Sequence, residues 1–532
     1  MTSLNCTVHP FHSTIKMKAA TTINMIGAGH NKSCREEHCH GLRAEVDIDD
    51  LGVTILPNGL VTWNNNSPDH PRNWTPVRKA YDIGVVATME FFTTVVSTTG
   101  PSAAALARTE YETQPMVTLI AFTLMYQLGQ ALGGLIVPPY SEVFGRKKPY
   151  ILAGGMFCLF CLLMAVVPSI TMVYIGRFIT GFASAVPSVV LAGSVEDLFN
   201  SRQRVWFVLL WNSLATAGLV FGPILGVYVS LNRGWRWIYY ISAVVMAALT
   251  VATLFIRESR PSLLLSKKVA TIRKRTGQDL KFDNPDAVAS HARLIDVVLI
   301  RPATLLVSEP LVILVSTLSS VSWAIIYLFT EALTGIYESM GFYRASASLP
   351  FLAIGLGVLF SIFPRYFDVR AARKRKERGE PLEPEDKLTG FLLAVPSLAI
   401  GLWWFAWCIP PAVTTIHWIV PTFGLIFVGF AVNEMAYTLS SYLADSYTVY
   451  AASAFAALAF VRALISGLMP LIAYAMYSNL SANAATTIIA VLSTLFGIAP
   501  YIMVRYSKKL RGMSKFAKYS LDVHERTRIE VD

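Results

Sequence analysis

Continuous apolar runs organise this chain. Each is about 20 residues long, the length a helix needs to cross a bilayer core. Six lie at Tyr81 to Ala104, Met116 to Pro138, Tyr150 to Val167, Thr171 to Val195, Val205 to Leu231 and Trp237 to Ile256. Six more lie at Leu311 to Ile336, Ala347 to Pro364, Leu388 to Ile409, Trp418 to Ser441, Ala451 to Tyr477 and Ala485 to Val504. Between the sets, Arg257 to Arg301 is basic and too polar to span, carrying Lys267, Lys268, Arg273, Lys274 and Arg275. The pattern predicts an all-α membrane protein with twelve transmembrane helices in two six-helix halves. Its divisions are a disordered N-terminal tail (1–79), a first half (80–256), a linker (257–305), a second half (306–506) and a C-terminal tail (507–532).

Charge orients these spans. Arg146, Lys147 and Lys148, Arg202 and Arg204, the run from Arg365 to Arg378, and Arg505, Lys508, Lys509 and Arg511 all fall at one set of loop ends. The opposite ends hold only Arg108, Arg233, Arg236 and Arg344. By the positive-inside rule both tails and the linker are cytoplasmic. Composition agrees: 54% of the 532 residues are hydrophobic and 15% charged, so the net charge of +11 reads as topology and not as a nucleic-acid surface. The six cysteines form no disulfide framework, and the first residues lack the apolar core of a secretory signal, which leaves insertion to the first span. Cys34, His38, Cys39 and His40 match no zinc spacing, so no metal is expected. Neither a glycine-rich Lys-Ser/Thr loop nor a strand-glycine-helix unit is present. With no nucleotide cofactor expected, energy comes from an ion gradient. Catalysis is not expected either, because His417 sits at an outer interface without a partner.

The charged turn Pro138-Pro-Tyr-Ser-Glu142-Val-Phe-Gly145-Arg146-Lys147-Lys148 resembles the signature loop of the major facilitator superfamily, with Pro138 where the pattern opens with glycine. Gly176-Arg177-Phe-Ile-Thr-Gly181, Gly218-Leu-Val-Phe-Gly222-Pro223-Ile-Leu-Gly226 and Gly234-Trp-Arg-Trp resemble the arginine and antiporter motifs of its twelve-span drug:proton antiporter family. Val227 replaces the last glycine of the antiporter motif. Tyr442-Leu-Ala-Asp445-Ser-Tyr447, Arg462, Gly467 and Pro470 resemble the fungal branch of polyamine and multidrug exporters. The resemblance implies alternating access around a site between the halves, and the export of drugs, toxins, secondary metabolites or polyamines in exchange for protons. A nutrient importer and a transporter-like sensor stay open as alternatives.

Charges inside apolar runs are the first candidates for coupling. Glu90, Glu331 and Glu434 are such carboxylates. Burial disfavours their charged form, so each can take up a proton on one side and release it when its surroundings change. Arg177 has two readings: a structural arginine satisfied by carbonyls or an acid, or a participant in proton coupling. Gly218, Gly222, Pro223 and Gly226 share a helix face that permits close approach and a bend. Tyr126, Gln127, Gln130, Trp211, Asn212, Trp323, Tyr327, Asn433 and Tyr437 either line an amphipathic cavity or serve packing. Glu142, Gly145, Arg146, Lys147, Asp197, Asp445 and Arg462 form a candidate cytoplasmic gate. Asn479-Leu-Ser481 is a glycosylation sequon placed outside. The expected partners are a small-molecule substrate, protons and the lipid bilayer, for a monomer in the plasma membrane, with the vacuolar membrane as the alternative.

Overall fold

A computed structural model describes residues 52–516 except 56–59, 65, 200, 277–281, 283–299, 379–384, 386–387, 448–450 and 515. Cys34, His38, Cys39 and His40 lie outside the described residues. Among the described residues, eleven helices are long and apolar enough to cross a membrane, and one bent pair supplies a twelfth span. That pair is α1 (Pro76–Thr98) and α2 (Gly100–Glu110), which meet at 42°, so the uninterrupted first span expected from Tyr81 to Ala104 is broken. The break falls at Thr99-Gly100-Pro101, where proline supplies no backbone donor and glycine no side chain. The first half continues with α3 (Pro115–Phe144), α4 (Lys147–Val166), α5 (Ile170–Leu198), α6 (Ser201–Arg233) and α7 (Arg236–Leu254). Both α3 and α5 contain a π turn, at Ile120–Leu124 and Val186–Val190.

The linker carries α8 (Pro261–Thr276) and α9 (Arg301–Ser308). In the second half follow α10 (Pro310–Ser339), α11 (Phe351–Leu359), α12 (Ile362–Glu377), α13 (Thr389–Trp407), α14 (Ile419–Ser446), α15 (Ala451–Asn479), α16 (Ala482–Phe496) and α17 (Ile498–Met513). Here α11 with α12, and α16 with α17, each supply one span.

Small residues let helices of the two halves approach. A Cβ at Gly467 of α15 would come within 2.7 Å of Gln127 Cβ on α3, and one at Gly134 of α3 would lie 3.1 Å from Ala459. Within the first half, the expected antiporter glycines face α1. A Cβ at Gly218 would come within 2.5 Å of the Phe91 carbonyl and one at Gly222 would strike Thr98, so α6 lies directly on the α1 backbone. The Gly234-Trp-Arg-Trp stretch closes the opposite end of this half. The Trp235 indole donates to Glu110 at 2.8 Å, and Arg236 pairs with the same carboxylate at 2.5 Å.

The expectation of a structureless tail up to Lys79 is corrected within the described residues. Strands β1 (Val53–Ile55) and β2 (Val61–Trp63) pair antiparallel, with Val53 opposite Trp63 and Ile55 opposite Val61. Val53 and Val61 bury against Leu265, Val269 and Ile272 of α8, so the tail draws its apolar partner surface from the linker. Trp63 donates to the Pro261 carbonyl at 3.2 Å, while Lys268 pairs with Asp69 at 2.5 Å and lies over the Trp63 ring. The linker thereby gains a small core of its own.

Candidate functional site

Between the halves, α1 and α5 bring Glu90 and Ser188 against Arg462 of α15 and Trp323 of α10. Glu90 is buried to 1% exposure, and its Oε2 makes no hydrogen bond. Arg462 donates to Ser188 Oγ at 3.2 Å and lies 4.2 Å from the Trp323 ring centroid. Ser188 is also the hydrogen-bonding neighbour of Glu90, whose first electrostatic partner is Arg462. A π turn carries Ser188, and such turns re-aim side chains where function requires it. The expectation that Arg462 belongs to the gate is therefore corrected. It sits eleven residues into α15, about 16 Å along the helix axis at 1.5 Å per residue, beside Glu90 and away from Arg146.

A second polar contact crosses the halves nearby. Ser97 of α1 and Tyr327 of α10 share a 2.5 Å hydrogen bond, and Gln127 donates to Ser97 at 3.1 Å. A third joins α6 to α14: Thr216 donates to Asn433 Oδ1 at 3.0 Å, and Asn433 donates to Ser213 at 3.3 Å. Gln127, Trp323, Tyr327 and Asn433 of the expected cavity set thus meet between the halves. Asn212 instead donates to its own helix at Val208, while Trp211 and Gln130 are half-buried. Tyr126 is buried inside the first half, with its hydroxyl donating to the Thr93 carbonyl at 2.9 Å.

Arg177 is completely buried, and carbonyl groups satisfy it. Its guanidinium donates to Phe122 at 2.6 Å, Val96 at 3.2 Å and Ser97 at 3.4 Å, with the Tyr126 ring 4.6 Å away. Phe122 lies in the π turn of α3, and Val96 and Ser97 lie just before the bend between α1 and α2. Of the two readings of Arg177, this geometry is the structural one.

At the linker end, Arg146 donates to Asp197 at 3.2 Å and to Ser141 at 2.7 Å, and Arg260 reaches the other oxygen of Asp197 at 3.3 Å. Glu258 accepts from the backbone amides of Arg146 at 2.8 Å and Lys147 at 3.0 Å, a carboxylate at the N-terminus of α4. Gly145 takes a left-handed φ of 94°, which glycine alone adopts without strain. Arg146, Asp197, Glu258 and Arg260 join the first half to the start of the linker. Glu142 and Asp445 are half-buried at helix ends. Sequence reading missed Glu258 and Arg260, because nothing in a polar linker marks two of its charges as partners of a distant loop.

In the second half, Glu434 is completely buried and pairs with Arg365 of α12, which also pairs with Asp368. Tyr437, expected in the cavity, lies under the Arg365 guanidinium at 3.9 Å. The assignment of Arg365 to a loop is corrected: it is 0% exposed, although its neighbours Tyr366 and Phe367 are exposed. Glu331 is half-buried on α10 with Arg108 and Arg344 as its electrostatic neighbours. Asn479 is exposed at the end of α15.

Comparison with known proteins follows the same lines. Residues 86–470 match the family model described as Major Facilitator Superfamily. An efflux pump, radE of Floropilus chiversii, is 28% identical over 467 residues, covering 86% of each chain. Multidrug transporter TPO1_2 of Candida glabrata is 30% identical over 464 residues, covering 86% of this chain and 79% of that one. Among solved structures, the proton:xylose symporter XylE superposes with a TM-score of 0.58 at 14% identity, over 81% of this chain and 96% of that one, a likeness of fold. With twelve spans in two halves and a polar layer between them, the chain belongs to the Major Facilitator Superfamily and is a multi-pass membrane transporter of small molecules.

Proposed function

We propose that the protein exports small amphipathic organic compounds, cationic amines among them, in exchange for protons by alternating access, from the plasma membrane and with the linker end facing the cytoplasm. The observation that carries this reading is Glu90 facing Arg462 across the two halves, with Ser188 between them. An ionised Glu90 attracts Arg462 and draws the halves together. A protonated Glu90 no longer does so, and its hydroxyl donates a hydrogen bond instead. A cationic substrate entering this layer competes with the proton for the same carboxylate, which is the logic of exchange. Trp323 and Tyr327 supply flat surfaces for an organic cation. Relatives named as an efflux pump and a multidrug transporter support the outward direction.

The test is flux of a fluorescent lipophilic cation in proteoliposomes under an imposed pH gradient. Glu90→Gln keeps shape and hydrogen-bonding capacity but fixes the site as neutral, so gradient-driven flux collapses. Full flux with an unchanged pH profile in that variant contradicts the reading, and flux in the opposite direction identifies an importer.

A further inference from the structure

The inner end of α12 carries a surface stripe that belongs neither to the polar layer between the halves nor to the gate. Pro364 and Arg365 are buried against the bundle, while Phe363, Tyr366 and Phe367 are each more than half exposed. Arg370, Arg373 and Lys374 are exposed as well. Phe363, Tyr366, Phe367, Arg370, Arg373 and Lys374 recur at the three- and four-residue spacing of one helix face, so a single stripe changes along its length from aromatic to cationic. The span that ends here, Ser346–Arg375, is 30 residues long, about 45 Å at 1.5 Å per residue, against a hydrocarbon core of about 30 Å. Its end therefore runs through the headgroup layer. Aromatic rings suit the boundary of that layer, and cations suit its phosphates.

Depth and charge decide what the stripe meets. Arg370 and Lys374 lie four residues apart, about 6 Å along the axis, which matches a headgroup layer of roughly 5–8 Å. From Arg370 to Arg378 the sequence holds six cations and one acid, Glu377. Among the described residues, Arg370, Arg373 and Lys374 pair with no carboxylate, whereas Arg365 turns inward on the same helix and contacts Glu434 and Asp368. We propose that this stripe binds an anionic phospholipid of the cytoplasmic leaflet, with acyl chains against Phe363, Tyr366 and Phe367 and the headgroup on Arg370, Arg373 and Lys374. Guanidinium groups hold phosphate oxygens in pairs, and the excess of cations favours a headgroup of net negative charge over a zwitterionic one. A bound lipid holds the inner end of α12 at the leaflet, on the face opposite the contact that Arg365 makes with α14. The inference does not depend on proton exchange at Glu90.

The test is native mass spectrometry of the purified, delipidated full-length protein titrated with phosphatidylserine or phosphatidylcholine of identical acyl chains. The unsubstituted protein is expected to bind phosphatidylserine the more tightly. Combining Arg370→Gln, Arg373→Gln and Lys374→Gln weakens phosphatidylserine binding by about a hundredfold, about fivefold for each cation, and leaves phosphatidylcholine binding as it was. Arg370→Lys with Arg373→Lys keeps the charge and the preference. Combining Lys267→Gln, Arg273→Gln and Lys274→Gln removes equal charge from α8 and is expected to leave the preference intact. Equal binding of the two lipids by the unsubstituted protein, or a preference that survives the stripe substitutions, overturns the proposal. So does an equal loss in the α8 variant, which assigns the preference to net charge. Arg370→Gln alone leaves the other five cations of the run to direct insertion, and keeps the test decisive where the triple variant inserts poorly.

Discussion

At the scale of single residues, burial separates charges that matter from those that do not. Asp197 and Glu196 are adjacent, yet Asp197 is 5% exposed between Arg146 and Arg260, whereas Glu196 is 59% exposed beside Arg204. Asp197→Ala therefore strands a buried guanidinium and lowers stability by about 3–5 kcal/mol, while Glu196→Ala costs under about 1 kcal/mol. Thermal unfolding in detergent measures both. Arg177→Met removes the guanidinium's charge-assisted hydrogen bonds to the carbonyls of Phe122, Val96 and Ser97, of which Val96 keeps the Thr99 hydroxyl as a donor, so the variant is expected to lose folded yield before it loses coupling. A well-folded Arg177→Met protein deficient only in pH dependence would return Arg177 to the proton path. The sequence marked Glu90, Arg177 and Glu434 because a charge stands out in an apolar run. It could not mark their partners, since hydropathy carries no information about which distant positions meet. Arg365 was hidden for another reason: it opens a run of basic residues at a helix end, where topology alone accounts for positive charge.

Among elements, span number and order were legible because twenty apolar residues admit few structures in lipid, and the bend between α1 and α2 was not read from Gly100 and Pro101. The antiporter glycines were legible as a packing face, but which helix they meet was not. Contact with α1 ranks them. Gly218 and Gly222 face the carbonyls of Phe91 and Val95, which cannot move aside, whereas the nearest atom to a Cβ at Gly226 is the Ser102 hydroxyl at 3.1 Å. Transport assays are expected to show severe loss for Gly218→Ala and Gly222→Ala and near-normal flux for Gly226→Ala; equal effects at the three sites would contradict the packing described. The β1–β2 hairpin leaves a trace in the sequence. Val53-Thr-Ile55 and Val61-Thr-Trp63 alternate with the period of a strand around a Pro-Asn-Gly sequence. Their apolar partner is α8, some two hundred residues on, so the tail taken alone had too little surface to bury. Trp63→Ala should expose α8 to limited proteolysis without reducing the number of spans inserted.

For the whole molecule, proton-driven export requires the linker to stand on the cytoplasmic side and the two halves to exchange partners across the layer of Glu90, Ser188 and Arg462. A cysteine introduced into α8 should resist an impermeant thiol reagent in intact cells and react after permeabilisation; labelling of intact cells would invert the topology. Proton–substrate exchange itself is tested most directly by mixing the purified transporter with a fluorescent lipophilic cation in weakly buffered detergent solution and following the proton released. The wild-type protein is expected to release a proton as the cation binds. Glu90→Gln is expected to release none. Release from Glu90→Gln equal to that of the wild type would contradict proton–substrate exchange at Glu90.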